Sequence, residues 1–330
     1  MQTRSHNSVY PIEIGILITR LITAIRLSIV VVLLAGLPAF IGCNAQTDSE
    51  FQQPSSELVA LLGATDFVIG ENRIPFAIYT QEQKFVPNAT VEAQFFKILG
   101  SKLVPKFTRA AVYRQVETSK DHVHSSEKKH SHTVEHGIYT LDQVLLDESG
   151  FWAVQLDVTY GGTESVDQTT MNLEVRASTL AIGVGELAPP SENPVGLDTS
   201  ALGEISTMVT PVLEFYDSTI AGELEQNNPF VVAFASPAFC VSRMCGPVMD
   251  IVAAVHKNYD GPVRFIHIEP YKLATARETG RLELTTTAEE WRLPTEPWVF
   301  LIGSDGTIKA RLEGLFSEEE LENLLELLKD

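Results

Sequence analysis

A continuous apolar run, Phe230–Ala235, constrains the fold of this chain more than any other segment. A run without a polar residue is typical of a strand that is buried on both faces of its sheet. Two cysteines, Cys240 and Cys245, follow it. A helical pattern then starts near Pro247, with one apolar stripe formed by Val248, Ile251, Val252 and Val255. The sequence therefore predicts a buried strand, a cysteine pair and a helix in direct succession.

The spacing of the two cysteines limits where they can lie. In a regular helix, residues five apart point about 140° away from each other. A disulfide needs Cα atoms within about 7 Å. We therefore expect Cys240 in the loop before the helix and Cys245 at the helix start. There the positive end of the helix dipole, with Arg243, favours a thiolate.

Further elements are predicted downstream of this helix. Val263–Ile268 and Trp298–Ile302 read as strands, and an Asp305-Gly306 turn leads into a third strand, Ile308–Leu312. Ser317 is placed to cap a closing amphipathic helix.

This order of elements resembles the thioredoxin superfamily. It is most similar to the membrane-anchored thiol–disulfide oxidoreductases of the bacterial cell envelope. The resemblance covers roughly Phe215–Asp330 and is carried by Phe230-Val-Val-Ala-Phe-Ala, Cys245-Gly-Pro, Pro297-Trp-Val-Phe-Leu-Ile and Gly303-Ser-Asp-Gly-Thr-Ile. It departs from the family's C-x-x-C motif, since four residues separate the cysteines here and Val248 stands where the family has its second cysteine.

The resemblance implies an α/β thioredoxin-like fold for residues 205–330 and a redox-active disulfide. Cys240 would be the cysteine that meets a partner, and Pro297 would be the family's cis-proline, with Pro294 as the rival. A structural disulfide is the alternative. His267 would approach the cysteines if its side chain pointed inward, or would be an ordinary core residue.

Short alternating segments upstream predict an all-β region over residues 57–177. The clearest is Phe151–Val158, in which every second residue from Trp152 is apolar. The candidate strands are separated by Gly, Asn, Asp and Pro turns: Phe67–Gly70, Pro75–Tyr79, Thr90–Ile98, Ala110–Val116, Thr140–Leu146, Trp152–Tyr160 and Met171–Val175. This spacing is typical of an immunoglobulin-like β-sandwich.

A polar segment between two of these strands is rich in histidine. It contains His122, His124, His130, His132 and His136. The segment has almost no apolar residue, so we expect a surface loop. Imidazoles at this density bind zinc or copper. Because no cysteine or carboxylate frame orders them, we expect His122, His124, His130 and His132 to bind metal weakly, and we expect no other cofactor.

The first 43 residues predict export. Arg20 and Arg26 precede an uncharged apolar run, Leu27–Gly42, as in a signal peptide. The sequence Phe-Ile-Gly-Cys43 resembles the lipobox of bacterial lipoproteins, which implies lipidation at Cys43; an uncleaved anchor is the alternative. Residues 44–56 are polar and predict a tether. The expected location is the cell envelope, with the protein held at the membrane on its extracytoplasmic face.

Charge and cysteine content narrow the functional classes. The net charge of -19 argues against nucleic-acid binding, which needs a basic face. A close cysteine pair outside the cytosol is usually oxidised or redox-active. Residues 178–204 contain several prolines and glycines and predict a linker between the two folded regions. The leading hypothesis for the function is an extracytoplasmic thiol–disulfide oxidoreductase that acts on protein thiols or disulfides. The alternative is a non-catalytic metal- or partner-binding lipoprotein.

Overall fold

The computed structural model describes residues 57–118, 134–162, 165–196 and 198–329. The expected signal segment 1–43 with Cys43, the tether 44–56 and the histidines His122, His124, His130 and His132 lie outside these ranges. The expectations attached to them stay predictions. Within the described ranges, no helix is long and apolar enough to cross a membrane.

The described chain is mostly β-sheet, with three sheets and short helices. Nine strands build the first two sheets: β1 (Leu58–Leu62), β2 (Phe67–Val68), β3 (Gly70–Thr80), β4 (Thr90–Leu99), β5 (Lys102–Ala110), β6 (Val112–Thr118), β7 (Val134–Leu146), β8 (Gly150–Thr159) and β9 (Asp167–Arg176). The strand orders are β1-β3-β7-β6 and β2-β9-β8-β4-β5. Apart from the parallel pair β2–β9, neighbouring strands run antiparallel.

One apolar core lies between these two sheets. Phe76 and Tyr139 enter it from one sheet, and Phe95 and Trp152 enter it from the other. The predicted alternation of β8 is confirmed, because Trp152 and every second residue to Val158 are fully buried. The buried Tyr139 hydroxyl accepts from the Ala89 N–H at 2.9 Å and donates to the Val86 carbonyl at 2.7 Å, which satisfies a polar group in an apolar core.

The third sheet contains β10 (Phe230–Phe234), β11 (Arg264–Ile268), β12 (Trp298–Ile302) and β13 (Ile308–Glu313) in the order β11-β10-β12-β13. β10 runs parallel to β11 and antiparallel to β12, and β12 runs antiparallel to β13. The helices are α1 (Thr199–Ile205), α2 (Ile220–Glu225), α3 (Cys245–Asn258), α4 (Leu273–Thr279), α5 (Thr286–Glu290) and α6 (Glu318–Leu325), with 3-10 turns at Leu213–Tyr216 and Glu326–Leu328.

Strand β10 is buried on both faces, as its sequence predicted. Val231 and Ala233 face a core that α3 and α6 cover, whereas Phe230, Val232 and Phe234 face a second core. The predicted apolar stripe of α3 is buried at every position. Ser317 caps α6 through a reciprocal capping box with Glu320, which satisfies two free donors at the start of that helix.

Residues 178–204, expected to form a linker, pack closely against this sheet. Ala181 and Ala188 are buried in the second core, and Leu187 forms a bridge with Thr307, the residue before β13. The Asn193 carboxamide accepts from the Ile220 N–H at 2.8 Å, in the first turn of α2. The segment is therefore fixed along much of its length, and the boundary at residue 205 stays a prediction.

Ion pairs and hydrogen bonds join the first two sheets to the third. The Arg311 guanidinium lies 2.8 Å from the fully buried carboxylate of Asp66. The Glu313 carboxylate accepts from the Thr65 hydroxyl at 2.8 Å and also from the Thr295 hydroxyl at 2.8 Å. Because Thr295 lies shortly before β12, its hydrogen bond to Glu313 stabilises the turn that leads into that strand.

Candidate functional site

Cys240 and Cys245 form a disulfide between β10 and α3, with Cα atoms 5.9 Å apart. Cys245 is the first residue of α3, and Cys240 lies in the preceding loop. This is the arrangement that the spacing predicted, since two positions within one regular helix would point apart.

The loop between the cysteines turns back on itself. Arg243 has a φ of +62°, in the left-handed region that few residues other than glycine adopt. This conformation lets the chain reverse, so that the Cys245 N–H donates to the Cys240 sulfur at 3.2 Å. The Ser242 hydroxyl lies 3.2 Å from the same sulfur. Two polar groups of the loop therefore surround Cys240.

The two cysteines differ in exposure. Cys245 is fully buried in the core beneath α3, whereas Cys240 is only half-buried. Its neighbour Val241 is 79% exposed. Cys240 is therefore the more accessible cysteine of the pair, although it also packs partly against the core.

Glu296 and Pro297 bring a second loop against the cysteines, and the peptide bond between them is cis. Glu296 is only 8% exposed. A carboxylate oxygen of Glu296 and the two cysteine sulfurs lie within 4.8 Å of one another. The Val241 N–H donates to Glu296 Oε1 at 3.2 Å, so the two loops are also joined through a backbone group.

Tyr271 contacts the second oxygen of the Glu296 carboxylate. Its hydroxyl donates to Glu296 Oε2. Burial raises the pKa of Tyr271, and the hydrogen bond to Glu296 and its negative charge raise it further. The tyrosine therefore stays a neutral donor at physiological pH and fixes the orientation of the carboxylate.

His267 does not approach the disulfide as a free ligand. It is 2% exposed, and its Nε2 lies 2.9 Å from the Ala235 carbonyl. Its Nδ1 lies 2.6 Å from the Tyr216 hydroxyl, which also lies 2.7 Å from the Ser206 hydroxyl. Burial lowers the pKa of His267 to about 4, although the Ala235 carbonyl opposes that shift. His267 is thus neutral, with Nε2–H donating and Nδ1 accepting, which favours the core interpretation.

A buried carboxylate lies next to this histidine network. Glu269 accepts from the Ser236 hydroxyl at 2.5 Å and from the Thr207 hydroxyl at 2.7 Å. The Thr207 hydroxyl accepts in turn from the Ala238 N–H at 3.1 Å. Burial raises the pKa of Glu269, against the opposing effect of these donors. The network ties the start of the cysteine loop to the segment after α1.

The structure places the remaining expected site residues as follows. Pro297 follows Glu296, whose carboxylate accepts a hydrogen bond from the Val241 N–H in the cysteine loop. The strands that flank the histidine-rich segment are paired up to Thr118 and Val134, so the segment connects two neighbouring strands. The histidines expected to bind metal, His122, His124, His130 and His132, lie outside the described residues, as does Cys43. His136, expected in the surface loop, instead lies in β7, where it pairs with Val116.

Sequence reasoning missed Glu296 and Tyr271. The one available signal was the position of Glu296, a charged residue immediately before the expected cis-proline and a buried strand. Nothing in the local sequence of Tyr271 indicates a role, since it reaches Glu296 only through the tertiary fold.

Comparison with known proteins gives no family. No family model matches the chain, and no curated protein matches it. Among solved structures, it is similar to a family 123 glycoside hydrolase from Clostridium perfringens, with 15% identity, 38% of this chain and 28% of that chain covered, and a TM-score of 0.21. It is also similar to the ZirS C-terminal domain, with 8% identity, 52% and 97% of the two chains covered, and a TM-score of 0.18. The chain thus spans 28% of the hydrolase's length, and likenesses at these scores support no conclusion about fold or function.

Proposed function

We propose that this protein is an extracytoplasmic thiol–disulfide oxidoreductase whose active pair is Cys240 and Cys245. The observation that carries the proposal is the asymmetry of the disulfide. Cys240 is only partly buried, while Cys245 is fully buried at the start of a helix. Thiol–disulfide exchange is favoured where a partner can approach one sulfur of the pair, and this asymmetry directs the approach to Cys240.

A thioredoxin-like fold for residues 205–330 belongs to the same proposal. It is supported by the strand order β11-β10-β12-β13, with one parallel and two antiparallel pairs. It is also supported by the helix that starts at the second cysteine. For residues 57–177 we propose an immunoglobulin-like sandwich, supported by two mainly antiparallel sheets around one core.

We assign the attacking role to Cys240. The sequence alone favoured a thiolate at Cys245, because the helix N-terminus is positive there. The Cys245 N–H, however, points at the Cys240 sulfur, and the Ser242 hydroxyl lies at the same distance. Donors aimed at a sulfur stabilise its thiolate form. Cys240 therefore combines two nearby polar groups that favour its thiolate with the better access.

The proposed exchange transfers two electrons from the protein dithiol to the substrate disulfide. In the reduced protein, the Cys240 thiolate attacks one sulfur of a substrate disulfide, which forms a mixed disulfide and releases the other substrate sulfur as a thiolate. Cys245 loses its proton, for which the nearby Glu296 carboxylate is a suitable acceptor. Its thiolate attacks the Cys240 sulfur, which closes the Cys240–Cys245 disulfide and releases the second substrate thiolate. The substrate is reduced and the protein is oxidised, and the reverse sequence oxidises a dithiol.

The location of the protein is part of the proposal. The basic lead, the apolar run and the lipobox-like Cys43 support export and lipid attachment. Mass spectrometry of the membrane-extracted protein tests this, and the expected N-terminal residue is a lipidated Cys43. An unmodified N-terminus upstream of Cys43 would show that the anchor is an uncleaved segment.

Replacement of each cysteine by serine tests the activity. Cys240→Ser should reduce turnover of a disulfide-bonded protein substrate to the uncatalysed rate. Cys245→Ser should also stop turnover, but should accumulate a mixed disulfide at Cys240, because the attack occurs and the resolving step does not. Non-reducing electrophoresis and mass spectrometry identify the trapped species.

Thermal unfolding of the two variants must be compared with that of the reduced parent, which also lacks the disulfide. If both variants exchange thiols as fast as the parent, the proposal is wrong. If the parent has no activity and the oxidised form merely melts later than the reduced form, the disulfide is structural and the binding-lipoprotein hypothesis is favoured.

A further inference from the structure

The disulfide and Glu296 place three potential metal ligands together. The two cysteine sulfurs and a Glu296 carboxylate oxygen lie within 4.8 Å of one another. Around a tetrahedral zinc ion, with bonds of about 2.0–2.3 Å, ligand atoms are separated by about 3.3–3.8 Å. The three side chains thus need only small movements to reach a common ion once the disulfide is open.

We propose that the reduced protein binds one zinc-class divalent cation through Cys240, Cys245 and Glu296. This inference rests on the proposed function, because it requires a disulfide that a dithiol can reduce. The site exists only in the reduced protein, so oxidation of the pair and metal binding exclude each other.

The Glu296 carboxylate is already oriented as a metal ligand would be. Its Oε1 accepts from the Val241 N–H at 3.2 Å, and its Oε2 accepts from the Tyr271 hydroxyl. Each oxygen has a second lone pair that these bonds leave free. Carboxylate ligands in metal sites are generally held by such outer hydrogen bonds.

Charge gives a physical reason for a cation. Reduction followed by loss of the thiol protons would place two thiolates and a carboxylate within 4.8 Å, with Cys245 fully buried and Glu296 nearly so. Buried charges without a compensating partner are unfavourable. A divalent cation would neutralise most of this charge, and the open side near Val241 would leave a fourth position for water.

The donor set selects the class of metal. Two thiolates and a carboxylate suit zinc, which accepts both sulfur and oxygen. Copper(I) prefers soft ligands and would gain little from the carboxylate. Dependence of the affinity on Glu296 therefore distinguishes the two.

The reaction balances as follows. A dithiol reductant donates two electrons, the Cys240–Cys245 bond breaks to give two thiols, and the reductant becomes a disulfide. The cation then displaces about two protons from the thiols as it binds.

Cobalt(II) and zinc(II) titrations of the full chain test the proposal. The four loop histidines His122, His124, His130 and His132 are first changed to alanine, to remove the weak binding expected there. After reduction with a dithiol and removal of the excess, cobalt should bind at one equivalent with a thiolate-to-cobalt charge-transfer band. The oxidised protein should show no such band.

Substitutions then identify the third ligand. Glu296→Gln should weaken zinc binding, measured by competition with a chromophoric chelator, at least about 10-fold, and Tyr271→Phe about 10-fold. Glu283→Gln is the matched control, because Glu283 is a partly buried carboxylate that pairs with Arg281 at 3.2 Å and Lys272 at 3.8 Å and not with the cysteine loop, and this variant should bind zinc as the parent does. Circular dichroism of the metal-free variants checks that they fold.

Three outcomes would overturn the inference. If Glu296→Gln binds zinc as tightly as the parent, the carboxylate is not a ligand. If the reduced parent exchanges disulfides but gives no charge-transfer band, the metal site is absent while the proposed function stands. If the dithiol cannot open the disulfide, both the metal site and the proposed function fail.

Discussion

At the scale of single residues, the burial of His267 links stability to pH. Its pKa falls from 6.5 to about 4 in the folded protein because burial disfavours the charged form. Between these two values the unfolded chain therefore binds more protons than the folded chain does. The contribution of the neutral His267 to the free energy of unfolding is fully present above about pH 6.5 and is lost as the pH falls toward 4. The total change is about 3 kcal/mol.

His267→Gln should flatten this pH dependence. Urea unfolding of parent and variant at several pH values measures it, and the parent should lose more stability than the variant between pH 6.5 and pH 4. Glu269 has the opposite effect on the pH dependence of stability, because burial raises its pKa. Since Glu269 is present in both the parent and the variant, its effect cancels when their curves are compared. Parallel stability curves would mean that His267 is accessible or charged in the folded state.

At the scale of elements, the structure of the segment 178–204 differs from what its composition predicts. Its prolines and glycines suggest a linker, yet the Ile308 N–H donates to the Glu186 carbonyl at 2.9 Å, and the Ala188 N–H donates to the Gly306 carbonyl at 2.9 Å. These bonds extend the pairing of β13 beyond its partner β12.

A chain that starts at residue 205 should therefore be less stable than one that starts at residue 178. The shorter chain exposes the outer edge of β13 and the part of the core that Ala181 and Ala188 cover. Thermal unfolding followed by circular dichroism compares the two. Equal melting temperatures would show that the segment contributes nothing to the fold, as the linker interpretation holds.

At the scale of the whole molecule, Gly314, which directly follows β13, lies close to Gly63 in the β-rich N-terminal part. Its φ is +74°, and a Cβ atom there would overlap the Gly63 carbonyl. Its N–H donates to the Pro297 carbonyl at 3.0 Å, beside the cysteine loop. Gly314 thus contacts both the β-rich N-terminal part and the turn that contains Glu296 and Pro297.

Gly314→Ala should destabilise the protein by clearly more than Gly280→Ala and should also slow disulfide exchange. Gly280 is the matched control, because its φ is +72° and a Cβ there meets no atom within 4 Å. The control isolates the cost of the left-handed backbone, about 1–2 kcal/mol. Equal losses of stability in the two variants would show that the contact between Gly314 and Gly63 is unimportant.

The sequence predicts best those parts of the fold that depend on local pattern. The apolar run of β10, the alternation of β8 and the stripe of α3 were each read correctly, because burial determines them residue by residue. Strand β5 was missed, since it is an exposed edge that contains Pro105 and shows no alternation. The approach of Glu296 to the cysteines could not be read from the sequence, because it depends on how two distant loops meet.

The reduction potential of the Cys240–Cys245 pair tests the central claim most directly. Equilibration of the purified protein with glutathione buffers of known ratio, followed by alkylation and mass spectrometry, gives this potential. An exchanging pair should lie above about -300 mV, where cellular thiol–disulfide couples can open and close it. A potential well below that value, with no reduction by a dithiol protein at physiological ratios, would contradict the account and identify the disulfide as structural.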